Sequence, residues 1–229
     1  MSIVSVRNLR REYTQGAFTV HALRGVDLDI AAGEFTALMG PSGSGKTTLL
    51  NLIGGLDEPT AGEITVDGQD LSRMKAGDRS ELRLRRLGFV FQSYNLIPVL
   101  SAVENTEFVL MLRGESAANR RQRAMETLAA VGLKGMEHRR PSELSGGQQQ
   151  RVAVARAIAG EPALVLADEP TANLDSTTGH ELIELMQRLN RERGLTFVFA
   201  THDPKVMEAA RRVVRLEDGQ IASDERKGS

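Results

Sequence analysis

The chain has 229 residues, in which 29 Lys and Arg stand against 30 Asp and Glu for a formal net charge of -1. That balance supplies no overall electrostatic pull toward nucleic acid or anionic lipid, and the absence of cysteine excludes disulfides and thiolate metal sites. The length suits one large domain, or a core carrying a subdomain. The opening Met1-Ser2-Ile3-Val4-Ser5-Val6-Arg7 lacks the form of a signal peptide. No stretch approaches the roughly 18 apolar residues of a membrane helix, so the chain itself is expected not to span a bilayer.

Ile3, Val4 and Val6 predict a first strand. Val26, Leu28 and Ile30, alternating with Asp27 and Asp29, predict a second within Val20 to Ile30. Tyr13 falls in a polar segment between them. A flat ring there can stack on a purine base or simply pack at a strand end, and the residues alone leave both readings open. Glu34 to Met39 reads as a further strand. The stretch Gly40-Pro41-Ser42-Gly43-Ser44-Gly45-Lys46-Thr47-Thr48 follows, and it matches G-x-x-x-x-G-K-T, the phosphate-binding loop.

Thr48 to Ile53 continues as a helix stopped by Gly54 and Gly55. Strand, loop and helix together are the context this motif requires, and they outweigh a plain Gly/Ser-rich turn. The glycines let backbone N–H groups wrap a phosphate, and the helix N-terminus points partial positive charge at it. Lys46 is then expected to reach the β- and γ-phosphates and the Thr47 hydroxyl to ligate Mg²⁺. Glu63 to Gly68 alternates and ends in Asp-Gly, a hairpin signal. The strands flanking the loop are expected to form a small antiparallel sheet against the nucleotide core.

Gly88-Phe89-Val90-Phe91 reads as a buried strand, followed by Gln92 and a loop, Ser93 to Pro98. From Ser101 to Arg140 the pattern is helical. Ser101 and Glu104 form a capping box, Arg113-Gly114-Glu115 breaks the first helix, and Asn119 to Val131 predicts a second with Met125, Leu128 and Ala129 on one face. The arginines at 113, 120, 121 and 123 read as a solvated face rather than a nucleic-acid patch, because acids are mixed in and no aromatics interleave. Leu144-Ser145-Gly146-Gly147-Gln148 opens another helix, carried on by Val152, Ala155 and Ile158 to Gly160 and Pro162. Its Ser145–Gln148 spacing fits a capping box, yet two glycines at a helix start are costly for capping and suit close backbone approach to an anion.

Ala163 to Ala167 is unbroken apolar sequence, the pattern of a strand covered on both faces in a parallel sheet. Asp168 and Glu169 stand at its C-terminal end, where such sheets bind ligands. Asp168 is expected to hold Mg²⁺, and Glu169 to polarise a water for attack on the γ-phosphate. A pair of solvated turn acids is the weaker reading beside a phosphate loop. Thr196 to Ala200 predicts another buried strand, with Thr201-His202-Asp203 at the same edge. There His202 can reach the phosphate or orient Glu169. Val213 to Ile221 contains a second Asp-Gly hairpin signal, and Ser223 to Ser229 is polar and expected to fray.

These motifs, in this order, resemble the nucleotide-binding subunit of an ATP-binding cassette transporter over essentially the whole chain. The LSGGQ segment at 144–148, upstream of an apolar strand ending in Asp-Glu, is the most specific of them. The segment Phe89 to Pro98 looks like the branch serving lipoprotein release, macrolide export and related mechanically driven permeases. Ala172 stands where that branch often has Gly.

The resemblance implies an α/β fold. A P-loop NTPase core with a mostly parallel sheet and an antiparallel β subdomain (1–92 and 161–229) carries an inserted α-helical subdomain (93–160). It implies ATP and Mg²⁺ as cofactors, with Tyr13 stacking on adenine. Gln92 contacts the metal or the attacking water and senses the permease. Ser145, Gly146, Gly147 and Gln148 form the signature face, on which Ser145 and Gly147 bind the γ-phosphate of a second subunit's ATP. Asp175 helps communication across the dimer. An ATP-dependent homodimer at the cytoplasmic face of the inner membrane, docked to a permease near Gln92 to Pro98 and the helical subdomain, is the expected assembly. Nucleic acid is not an expected partner. A regulator of cell-envelope remodelling using the same motor is the rival reading.

Overall fold

The computed structural model describes residues 2–16 and 18–227. Four strands, β1 (Ser2–Gln15), β2 (Phe18–Ala31), β4 (Ala61–Val66) and β5 (Gln69–Asp70), form an antiparallel sheet in the order β2-β1-β4-β5. The Asp67-Gly68 turn joins the last two, both residues having positive φ as a tight hairpin demands. β1 is longer than the apolar pattern suggests, because register shifts carry it through polar residues. Tyr13 is therefore inside this strand, paired with Val20, and not in a connecting segment.

The second sheet has the order β10-β9-β3-β8-β7-β6, built from β3 (Phe35–Met39), β6 (Leu87–Phe91), β7 (Leu164–Asp168), β8 (Thr196–Ala200), β9 (Arg212–Glu217) and β10 (Gln220–Arg226). All neighbours are parallel except the β9–β10 hairpin at the edge. Alternate residues feed opposite faces. Phe35, Ala37, Val165, Ala167, Phe197 and Phe199 join one apolar cluster, and Leu38, Leu164, Leu166, Val198 and Ala200 join the other. The second cluster includes Val4 and Val6 of the antiparallel sheet and Leu49 and Leu50 of α1 (Lys46–Ile53). The first includes residues of α3 (Ala102–Leu112), α4 (Ala117–Ala130), α5 (Gly146–Ile158) and α6 (Ser176–Arg193). Two further α-helices are α2 (Ala76–Arg86) and α7 (Pro204–Ala209).

The register aligns the C-terminal ends. Phe91 pairs with Asp168, Asp168 with Ala200, and Leu38 with Ala200. The residues after β3, β6, β7 and β8 thus emerge at one edge, the ligand-binding edge of a parallel sheet.

Several details correct the sequence reading. α4 turns Ala124, Thr127 and Leu128 inward, while Ala129 is exposed and Met125 only partly buried. Arg113 is not a solvated side chain. It donates to the carbonyls of Leu84 and Arg85, both at 2.9 Å, and to that of Gly160, tying α3 to the ends of α2 and α5. Arg123 similarly pairs with Glu115 and donates to the Ala159 carbonyl. The tail from Ser223 does not fray at once. It stays paired in β10 through Arg226, and Asp224 accepts a two-pronged bond from buried Arg212 at 2.8 and 2.7 Å. Of the expected frayed end, Gly228 and Ser229 lie outside the described residues. Among the described residues no helix is long and apolar enough to cross a membrane.

Candidate active site

The phosphate-loop residues run from the end of β3 into α1. Gly45 is the N-cap of α1 with φ +103°, and a Cβ there would lie 2.7 Å from the Ala22 carbonyl oxygen, so glycine is required twice over. No side chain caps this helix, which leaves its first N–H groups directed into the loop. Lys46 is buried, with Nζ donating to the carbonyls of Gly40 at 2.8 Å and Pro41 at 2.9 Å. The Thr47 hydroxyl donates to Asp168 Oδ1 at 3.1 Å, joining the loop to the end of β7. Burial pushes the Asp168 carboxyl above the usual aspartate range and the Glu169 charge adds to the rise, against the pull of the Thr47 bond.

Glu169 has φ +45° and anchors its N–H on the Ala200 carbonyl at 2.8 Å. Its carboxylate is held at both oxygens. The Thr201 hydroxyl donates to Oε2 at 3.1 Å, and His202 Nδ1 lies 2.7 Å from Oε1. The ring of His202 stays largely in solvent, so the pair faces outward from the sheet edge. Gln92 approaches from the end of β6, its backbone carbonyl accepting from Asn173 Nδ2 at 3.0 Å. Tyr13, Pro41, Lys46, Gln92, Glu169 and His202 all border one cleft of about 750 Å³.

The donor set fits a nucleotide and its metal. Among the described residues, Ser44 Oγ is buried inside the loop with no hydrogen-bond partner, an orphan that an anion's oxygens would satisfy. Thr47 and Asp168 offer hard oxygen donors side by side, as Mg²⁺ prefers when substrate phosphates complete its shell.

The signature residues lie elsewhere. Ser145, Gly146, Gly147, Gln148 and Asp175 do not border this cleft. Ser145 and Gln148 form the expected capping box of α5. The glycine pair also has close neighbours within the chain. A Cβ on Gly146 would lie 2.9 Å from the Tyr94 hydroxyl, and one on Gly147 2.3 Å from Thr178 Cγ2. Asp175 caps α6 through the N–H groups of Thr177 and Thr178, each at 3.0 Å. The Thr178 hydroxyl bond, helped by those N–H groups, holds the Asp175 carboxyl below the usual range.

A family model described as ABC transporter matches residues 23–172. The chain belongs to the ABC transporter family. As a member it is an ATPase, and its fold is that of ABC cassettes. It is 48% identical to the lipoprotein-releasing system ATP-binding protein LolD of Anaeromyxobacter dehalogenans, covering 96% of this chain and 93% of that protein. It is also 48% identical to the macrolide export ATP-binding/permease protein MacB of Syntrophobacter fumaroxidans, but spans only 31% of that protein's length. Among solved structures, the dimeric post-hydrolysis state of the ATP-binding cassette MJ0796 bound to ADP and Pi matches with a TM-score of 0.91 at 43% identity, with 99% of each chain covered.

Four residues of the cassette's site escape sequence reasoning. Asn173 and Thr201 adjoin recognised motifs, and their polar side chains beside Glu169 and Gln92 are the signal that points to them. Arg11 lies two residues before Tyr13, the spacing that shares a strand face, but Asp57 carries no local signal, since only the fold brings it to both.

Proposed function

We propose that this chain is the ATP-hydrolysing subunit of a membrane transporter, closing with a second copy of itself around ATP and powering a separate permease. The carrying observation is the Glu169 carboxylate, oriented by Thr201 and His202 at the edge where the phosphate loop begins. Glu169 accepts the proton of the attacking water, and His202 keeps that carboxylate aimed and reaches the terminal phosphate. Lys46 and the α1 N-terminus bind the phosphates. Thr47 and Asp168, with Gln92, hold Mg²⁺, which when bound neutralises charge on the phosphate oxygens. Tyr13 stacks on adenine.

Ser145, Gly146, Gly147 and Gln148, at the N-terminus of α5, complete the site of the partner copy, and Asp175 couples the two copies. The permease docks on Gln92 to Pro98 and the helical subdomain, 93–160, which the core of 1–92 and 161–229 carries. Docking places the chain peripherally at the cytoplasmic face of the inner membrane. The similarity to proteins named LolD and MacB supports export or lipoprotein extraction as the work done.

The test is Glu169→Gln. Turnover is expected to fall about 10²- to 10³-fold while Mg-ATP still binds. Near-normal turnover in that variant would remove Glu169 from the role of base.

A further inference from the structure

Tyr13 is held from two directions. Its hydroxyl donates to Asp57 Oδ2 at 2.7 Å. The Arg11 guanidinium lies 4.4 Å from the ring centroid, a cation–π contact. The same guanidinium grips Asp57 in a two-pronged pair, Nε to Oδ2 at 2.9 Å and Nη2 to Oδ1 at 2.7 Å. The side chains of Arg11 and Asp57 are only 22% and 20% exposed, so this is a sheltered triad and not a solvated surface pair.

Asp57 belongs to the turn that ends the phosphate-loop helix. Gly55 N–H donates to the Leu52 carbonyl and Leu56 N–H to that of Asn51, the Schellman pattern that fixes the chain leaving α1. Two more bonds stitch this exit to β1, Thr60 N–H to the Arg10 carbonyl at 2.9 Å and Glu12 N–H to Thr60 Oγ1 at 3.0 Å. One rigid helix thus presents phosphate-binding N–H groups at its start and, just beyond its end, the carboxylate that aims the ring. Because Arg11 covers one face of Tyr13, a ligand in the cleft can meet only the other face or the edge. Because the hydroxyl is engaged by Asp57, the ring offers a flat surface and not a hydrogen-bond code for the base.

We propose that Arg11 and Asp57 are positioning residues for the nucleobase: they lock the Tyr13 ring and, through α1, set its reach from the phosphate loop. This rests on the stacking role of Tyr13 given above. A ring already locked loses less freedom when the base arrives, so the triad strengthens binding without touching the reacting atoms.

The experiment measures, on the full chain, calorimetric affinity for Mg-ATP and for inorganic tripolyphosphate, with steady-state ATP hydrolysis alongside. Tyr13→Ala is expected to weaken ATP about tenfold and to leave tripolyphosphate unchanged. Tyr13→Phe and Asp57→Ala are each expected to weaken ATP about threefold, raising KM more than they change kcat, again with tripolyphosphate unmoved. The double variant is expected to be no worse than Asp57→Ala alone.

If Tyr13→Ala bound ATP normally, the stacking role would fall and this proposal with it. If Tyr13→Ala weakened ATP while Tyr13→Phe and Asp57→Ala did not, the positioning role alone would fall. A loss of tripolyphosphate affinity in Asp57→Ala would also overturn it, by showing general damage to α1. Should Asp57→Ala fold poorly, Tyr13→Phe decides, because it removes only the hydroxyl.

Discussion

Two helix N-termini in this cassette are rich in glycine and differ in how they are finished. α1 begins at Gly45 with no side-chain cap, so its N–H groups are open to a ligand of the same chain. α5 begins at Ser145 with a closed capping box, its serine hydroxyl already accepting from Gln148 N–H. The first end is ready for phosphate as it stands. The second is stabilised by its own residues: its cap takes the Gln148 N–H, while the Ser145 O–H stays able to donate, so on the proposed reading it can meet a partner's phosphate with the cap intact. One end is therefore read as half of a binding site and the other as the surface that completes it.

The largest effect should come from the open end. Lys46→Ala removes the cation beside it, and hydrolysis is expected to fall on the order of 10³-fold in a steady-state assay. An unchanged nucleotide titration would count against the phosphate role.

Gly147 sharpens the comparison, since its space is claimed by Thr178 within the chain. Gly147→Ala is expected to destabilise the fold by about 1–3 kcal/mol in denaturant titrations. Adding Thr178→Ser removes the opposing methyl and keeps the hydroxyl that bonds Asp175, so stability should return. ATP-driven pairing should not return, because on the proposed reading the new Cβ still stands on the surface offered to the partner. Recovery of both would reduce Gly147 to an intrachain packing residue.

Ser145→Ala tests the closed end alone. Loss of the cap is expected to cost about 1 kcal/mol, or roughly a 3 °C fall in Tm. A larger loss in ATP-driven pairing than in Tm would separate the interface role from the cap.

The smallest effect concerns Asp175. Its folded pKa lies below the ordinary value, so its contribution is present above the ordinary aspartate range. That contribution is lost as pH falls through the folded value. Acid unfolding of Asp175→Asn should accordingly show a shallower fall over that window than the parent chain.

Much of the site was legible because its signals are local. The phosphate loop, the apolar runs of β3, β7 and β8, and the capping boxes at Ser101 and Ser145 each declare themselves within a few residues. α2 is hidden because Leu82 is its only buried residue. α6 has a readable inward stripe of Leu182, Ile183, Leu185, Met186 and Leu189, and it goes unread when Asp175 is taken only for its family role and not as a helix cap. Arg113 and the Arg11–Asp57–Tyr13 triad depend on partners distant in the chain, which composition and spacing do not reveal.

The most direct measurement is the mass of Glu169→Gln by sedimentation equilibrium, with and without Mg-ATP. Twice the chain mass with nucleotide, and a single chain mass once Ser145 and Gly147 are both substituted, is the expected result. A strictly monomeric Glu169→Gln at high concentration with saturating Mg-ATP would contradict the shared site.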